Sequence, residues 1–220
     1  DAFDGADSEH AGVDLYDQSG RFAPYVFKSD TGYGVESLVG YDDPVDGEYY
    51  QGTLGNNGKP YITDPYYYLV DGNKIPIYSL AVPVMQNGKI IGAVGADIQW
   101  QNVIDIMNAA SILEDGYIFT LSPSGVISTH QNQDYLMENY DVTWMEEHSQ
   151  EIDAVLATGG SIALSDYSDV TKTNITVTGN TVTIGDTGRN WLVLGAVPQV
   201  TVNASSSRLM LIIIFICVAL

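Results

Sequence analysis

A single cysteine in 220 residues, Cys217, excludes an internal disulfide framework and any cysteine-rich zinc site. Basic residues are nearly as scarce. Five Lys and three Arg stand against 20 Asp and eight Glu, for a formal charge of −20. A surface of that sign repels phosphate backbones and carries no basic stripe, which excludes nucleic acid as a partner. The three histidines, His10, His130 and His148, show no metal-ligand spacing, so neither a metal centre nor a cofactor is expected. Nucleophile and phosphate-loop motifs are missing too: Gly92-Ala93-Val94-Gly95 lacks a third glycine and lies inside a strand-like run. Ser128 and His130 share a strand face, but no orienting acid accompanies them, and the chain is not read as an enzyme. The opening DAFDGADSEHAG has neither the basic nor the apolar region of a signal peptide.

What is present argues for a folded α+β protein. Hydrophobic residues make up 45% of the chain and charged ones only 16%, too apolar for a disordered acidic segment. Aspartate, which supplies most of the acid, favours turns over helix interiors and argues against a helical bundle. Residues Leu209 to Leu220 are uninterruptedly apolar, LMLIIIFICVAL. As a helix they would cover about 18 Å of a hydrocarbon core about 30 Å thick. They read as the first half of a transmembrane helix, attaching the protein to a membrane through its C-terminal end. The scattered basic residues resemble no positive-inside loop, Arg208 excepted, so the folded part is placed on the extracytoplasmic side.

Gly and Pro divide the first half into short segments. Residues 20–28 predict a strand, 46–54 a helix, and 62–70, 74–85 and 89–98 three strands joined by Asp71-Gly72-Asn73 and Gln86-Asn87-Gly88 hairpin turns. Trp100, Val103, Ile104 and Met107 then follow helical spacing. The strand pattern resumes with GYIFTL and VISTH, followed by a helix over 143–158 and strands over 161–167, 175–184 and 191–197. Two small units in series result, each an antiparallel sheet with flanking helices. Their predicted bounds are 1–110 and 111–200, with 201–220 opening the membrane helix.

Eleven of the fifteen tyrosines fall between Tyr16 and Tyr78. Strand alternation points Tyr66 and Tyr68 to one face and Tyr67 to the other. Phenol rings suit a wet pocket for a small polar ligand, and they also simply pad sheets. Asp97 ends a strand-like run, IIGAVGA, where a carboxylate is costly unless paired. It is placed either to cap the helix that follows or to fix a cationic ligand.

The succession GRFAPY, DPYYY, PIYSLAVPVMQNGKIIGAVGADI, GYIFTLSPSGVISTH and WLVLGAVP, leading to an apolar helix, resembles the double Cache (dCache) extracytoplasmic sensor domain of chemoreceptors and sensor kinases. The resemblance implies two PAS-like modules in tandem, a membrane-distal one that holds the ligand and a membrane-proximal one, preceded by a long N-terminal helix. It also implies a homodimer in the full receptor. Relatives that bind amino acids use an aromatic cluster with an Arg, a Pro-Tyr-x-Asp segment and a later Asp. By that pattern Tyr50 stands for the last cluster aromatic, Tyr66 for the Tyr after Pro and Asp97 for the final Asp. Tyr49 replaces a Trp, Gly47 sits at the expected Arg, and Tyr68 replaces the first Asp. With the carboxylate clamp missing, the implied ligand is a small amine or quaternary ammonium rather than an α-amino acid. The expected ligand set is Asp97, Tyr49, Tyr50, Tyr66 and Tyr68, extended by Tyr25 and Tyr78. The output most in keeping is a methyl-accepting chemotaxis protein, with a sensor histidine kinase or diguanylate cyclase as alternatives. A membrane-tethered solute-binding protein and a calcium-binding module built on Asp42-Asp43-Pro44-Val45-Asp46 are readings of other classes.

Overall fold

Two Asx-Gly turns organise the first half of the chain. Asp71 and Gly72 both have positive φ (48° and 74°), as do Asn87 and Gly88 (49° and 76°). That left-handed pair is the geometry of a two-residue hairpin turn, and only Gly, Asn and Asp adopt it cheaply. The computed structural model, which describes residues 6–29, 31–44, 46–110, 112–113 and 115–204, therefore has the predicted meander of long strands here. The apolar run 209–220, and its reading as a membrane helix, lie outside the described residues. Among those described, no helix is long and apolar enough to cross a membrane.

The chain divides into two units, Asp1–Ile98 with Gly185–Thr187, and Gln99–Ile184 with Gly188–Leu220. In the first, β1 (Pro24–Ser29) and β2 (Gly32–Ser37) form their own two-stranded ladder. The helix α1 (Glu48–Gly55) follows, then β3 (Tyr61–Ile62), β4 (Tyr66–Val70), β5 (Asn73–Gln86) and β6 (Lys89–Gln99) in a four-stranded sheet. The strand β5 pairs with β3, β4 and β6. The strand β2 escaped the sequence reading because its glycines, Gly32 and Gly34, dilute the apolar alternation; the Phe27 ring occupies the space a Cβ at Gly34 would need.

Residues 62–70, expected as one strand, are two. Pro65 cannot donate to a ladder and breaks the run. From Ile62 to Tyr66 the chain advances four positions while its partner retreats three, from Leu80 to Ile77. The extra residue is a bulge, a device that re-aims side chains. It turns the Thr63 hydroxyl to the Ser79 backbone N–H (2.9 Å), while Thr63 N–H donates to the Ser79 carbonyl (3.0 Å).

The second unit opens with α2 (Trp100–Ala109), where the helical spacing predicted it, and continues through β7 (Tyr117–Leu121) and β8 (Ile127–Thr129). Short 3₁₀ turns then lead into α3 (Ser149–Thr158), so that the helix expected over 143–158 is α-helical only in its second part. The strands β9 (Ser161–Ser168), β10 (Thr173–Thr183) and β11 (Asn190–Pro198) complete a five-stranded antiparallel sheet of order β8-β7-β11-β10-β9. Val155 and Leu156 of α3 lie three and four residues after Ile152, so they share its face, and the three join Phe119, Leu121, Ile175, Leu192 and Leu194 in one apolar core. Residues 199–204 are helical.

Candidate functional site

On β5 of the first unit, Ile75, Ile77, Ser79 and Ala81 point to one face, and Ser79 is the single hydroxyl among aliphatic neighbours. It is only 3% exposed. Its Oγ donates to Asp97 Oδ1 on β6, and it lies 2.7 Å from the Tyr66 hydroxyl on β4. A serine has one proton to give, so the direction is settled: Tyr66 O–H donates to Ser79, and Ser79 to Asp97.

Four tyrosines gather around this relay. Tyr25, from β1, has its phenol pushed far above the ordinary value, first by burial and then by the nearby Asp97 carboxylate. Its ring centroid is 5.4 Å from that of Tyr68, and Tyr66 and Tyr68 meet edge to face at 6.3 Å. Tyr49, from α1, is pushed up by burial and by the nearby Tyr68, Tyr66 and Asp97. The backbone of Val39 joins two of them, its N–H donating to the Tyr68 hydroxyl (3.4 Å) and its carbonyl accepting from Tyr49 (3.3 Å). Burial also raises Tyr66, with Asp97 adding to the shift. All four phenols therefore stay neutral hydroxyls under ordinary conditions.

Asp97 does not cap α2. The N-cap position is Gln99, which makes no side-chain cap bond. Two further expected ligands stand apart. Tyr50 meets Tyr41 edge to face at 5.9 Å, and Tyr78, next to Ser79 on β5, points to the opposite sheet face, where burial alone raises its phenol. Tyr67 likewise faces away, half exposed, beneath Lys74 at 4.6 Å. Residues that sequence reasoning missed are Ser79, Thr63 and Val39; a lone serine in the Ile75-x-Ile77-x-Ser79-x-Ala81 alternation was the available signal for the first.

The site holds no cation of its own. Arg21 is bound by Asp17 (2.8 Å from Nε) and by both oxygens of Asp42, with its guanidinium 4.8 Å over the Tyr41 ring. Lys59 pairs with Asp186 at 3.7 Å. At Gly47, a Cβ would come within 2.6 Å of the Tyr41 and Asp43 carbonyl oxygens, so no arginine fits there. The nearby charges are negative instead, with Glu36 acting on Tyr68 and Glu48 on Tyr66. No group of three or more His, Cys, Asp or Glu suited to a metal ion occurs among the described residues. In the second unit Ser128 donates to the Val126 carbonyl (3.2 Å) and His130 Nδ1 accepts from Asn132 N–H (3.0 Å), so neither activates the other.

Residues 7–105 match the family model described as methyl-accepting chemotaxis protein-like, first PDC sensor domain. A stretch of 103 residues is 32% identical to the methyl-accepting chemotaxis protein McpA of Pseudomonas putida, covering 46% of this chain and 15% of that protein. The chain thus spans only a small part of the curated relatives it matches. Among solved structures, the extracellular domain of the putative histidine kinase mmHK1S-Z3 has a TM-score of 0.73 at 28% identity, over 95% of this chain and 73% of that one. The ligand-binding domain of the Pseudomonas aeruginosa PAO1 amino acid chemoreceptor PctB, in complex with L-Arg, shares the fold with a TM-score of 0.54 at 21% identity, over 80% of this chain and 70% of that one.

Proposed function

We propose, for a chain that belongs to the PDC/Cache-like sensor domains of the methyl-accepting chemotaxis protein family, that its first unit binds a small amine from outside the cell and reports it across a membrane. A sensor of this family binds ligand rather than transforming it. The observation that carries the reading is Asp97, held by Ser79 beside Tyr25, Tyr49, Tyr66 and Tyr68, with no ion pair to Asp97 among the described residues. An ammonium over phenol faces gains roughly 0.5 to 2 kcal/mol per good contact, and a fixed carboxylate adds a charge-assisted hydrogen bond. A ligand carboxylate would find no cation and would meet the fields of Glu36 and Glu48.

Asp97, Tyr25, Tyr49, Tyr66 and Tyr68 are the proposed ligand set, with Ser79 orienting the acid. Ligand seated between Asp97 and the Tyr25 and Tyr68 rings shifts the population of β1–β2 positions relative to β6. Output through a chemotaxis receptor follows from the McpA likeness. A histidine kinase is the second reading, favoured by mmHK1S-Z3. PctB was solved with L-Arg, whose side chain is a cation, which keeps amino-acid-like cations in the panel.

Calorimetric titration with ethanolamine, choline, putrescine, L-arginine, L-alanine, succinate and glucose tests this. Amines lacking a carboxylate should bind at least as tightly as L-alanine, and Asp97→Asn should weaken them at least tenfold. Binding confined to succinate or glucose, or unchanged amine affinity in Asp97→Asn, overturns it.

A further inference from the structure

Among the described residues, two buried side-chain oxygens of the second unit have no hydrogen-bond partner, Asp169 Oδ1 and Thr171 Oγ1. Both belong to the turn between β9 and β10. That turn is firmly placed. The buried Ser168 Oγ accepts from the backbone N–H groups of Val170 and Thr171 (3.2 Å each) and sits 3.3 Å from the Tyr117 hydroxyl on β7. The other carboxylate oxygen, Asp169 Oδ2, accepts from Tyr135 O–H.

Aromatic side chains wall this corner. The rings of Tyr117, Phe119 and Tyr135 all meet His130 edge-on, at 5.3, 5.3 and 5.1 Å. Its Nδ1 accepts from Asn132 N–H, so the neutral imidazole carries its proton on Nε2. Another carboxylate, Asp166 on β9, is occupied by His148 at 3.0 Å and by the Tyr167 backbone N–H at 2.6 Å. Asp169 has no ion-pair partner among the described residues. An unmatched, half-buried carboxylate oxygen costs stability, and a chain retains it only where something fills the gap.

The elements echo those of the first unit: a carboxylate that accepts one side-chain hydroxyl, from Tyr135 here and from Ser79 there, aromatic rings nearby and no ion-pair partner among the described residues. We infer that the second unit holds its own site at Asp169 for a small primary ammonium, with Asp169 Oδ1 and Thr171 Oγ1 accepting its N–H groups and Tyr117 and Tyr135 flanking it. The inference stands on the second unit's own atoms and does not need the proposed site at Asp97.

Ethanolamine titrations of the 220-residue protein test it, with Asp97→Asn, Asp169→Asn and Thr171→Val compared after circular dichroism shows each to be folded. Asp97→Asn should retain one class of site, and adding Asp169→Asn should abolish it. Thr171→Val should raise the melting temperature of the ligand-free protein, by removing an unmatched hydroxyl, and weaken the surviving site at least tenfold. If Asp97→Asn removes all ethanolamine binding, this inference falls while the function proposed above stands. If the unsubstituted protein already shows a single site, unchanged in Asp97→Asn and lost in Asp169→Asn alone, the inference is supported and the other reading falls. Thr171→Val that lowers the melting temperature and leaves affinity unchanged marks a trapped water there, and also overturns it.

Discussion

The two units repeat one order of elements, a hairpin, a helix and then a run of antiparallel strands, yet fill their interiors differently. In the second, the side chains of Phe119, Leu121, Ile127, Ile152, Ile175, Leu192 and Leu194 are wholly buried in one apolar cluster. In the first, Ile62, Val70, Ile77 and Ala81 share the interior with Thr53, Thr63 and Ser79. The ladders differ in the same sense. The strand β7 is hydrogen-bonded to β11, with Phe119 opposite Leu194, whereas β1 and β2 form a ladder of their own. The Tyr25 ring of β1 lies 5.4 Å from that of Tyr68 on β4, and its phenol feels the Asp97 carboxylate on β6. One unit is built on apolar burial and backbone pairing, whereas the other keeps hydroxyls in its interior and leaves its hairpin paired with no further strand among the described residues.

The sharpest way to break this comparison is to cut each interior. Phe119→Ala should cost about 3 to 5 kcal/mol of unfolding free energy, the usual range for a large core truncation. Ser79→Ala takes a hydrogen-bond partner from both the Tyr66 hydroxyl and Asp97, at a smaller cost of about 1 to 3 kcal/mol. Urea melts read both. Equal losses, or a larger one for Ser79→Ala, would mean that the first unit depends on its polar relay as much as the second depends on its core.

Acid should separate the units next. Burial holds His130 below its ordinary value of 6.5, with Asp169 and Asn132 opposing the shift in part, so the folded unit binds fewer protons there than the unfolded chain. The stability this contributes is present above the unfolded value and is lost as pH falls towards the folded one, by at most about 1.4 kcal/mol per pH unit for one proton. In the first unit, burial opposes but the hydrogen bonds from Tyr41, Ser19 and Arg21 outweigh it, and Asp17 is held well below 3.8. Its contribution persists above the ordinary carboxylate range and fades only below it. Hydrogen exchange between pH 6.5 and 4.5 should therefore show amides of β7 and β8 losing protection while those around Asp17 and Arg21 keep theirs. His130→Gln should abolish the difference. Parallel loss in both regions would refute the assignment.

Sequence patterns located most of the fold because the hairpin signals are local. Between two strand-like runs Asn87-Gly88 and Asp71-Gly72 favour the left-handed pair of a tight hairpin, and Trp100, Val103, Ile104 and Met107 mark a helix face without reference to anything distant. Legibility ended where geometry depends on pairing. The bulge between Ile62 and Tyr66 shows only when the register against β5 is known, and with it the part that Thr63 and Ser79 play at the site. Strand alternation grouped Tyr66 with Tyr68 and excluded Tyr67, but the doublet Tyr49-Tyr50 sits on a helix, where adjacent residues diverge, and only Tyr49 joins the cluster. Tyr78 was expected on the ligand side for its residue type, whereas its position next to Ser79 on β5 puts it on the other face.

The smallest effect concerns that face. Tyr67 and Tyr68 are neighbours in sequence with opposite surroundings. Tyr67 is 52% exposed, and its contact with Lys74 is a surface cation–π pair worth about 0.5 to 1 kcal/mol. Tyr68 lies between Tyr25 and Tyr66, so Tyr68→Ala should weaken amine binding several-fold to thirtyfold, the loss of about 1 to 2 kcal/mol of aromatic contact. Tyr67→Ala should change affinity less than twofold and stability by under about 1 kcal/mol. If the two alanine variants bind ethanolamine equally well, alternation along β4 does not divide a ligand face from a solvent face, and the difference drawn between the two interiors loses its functional meaning.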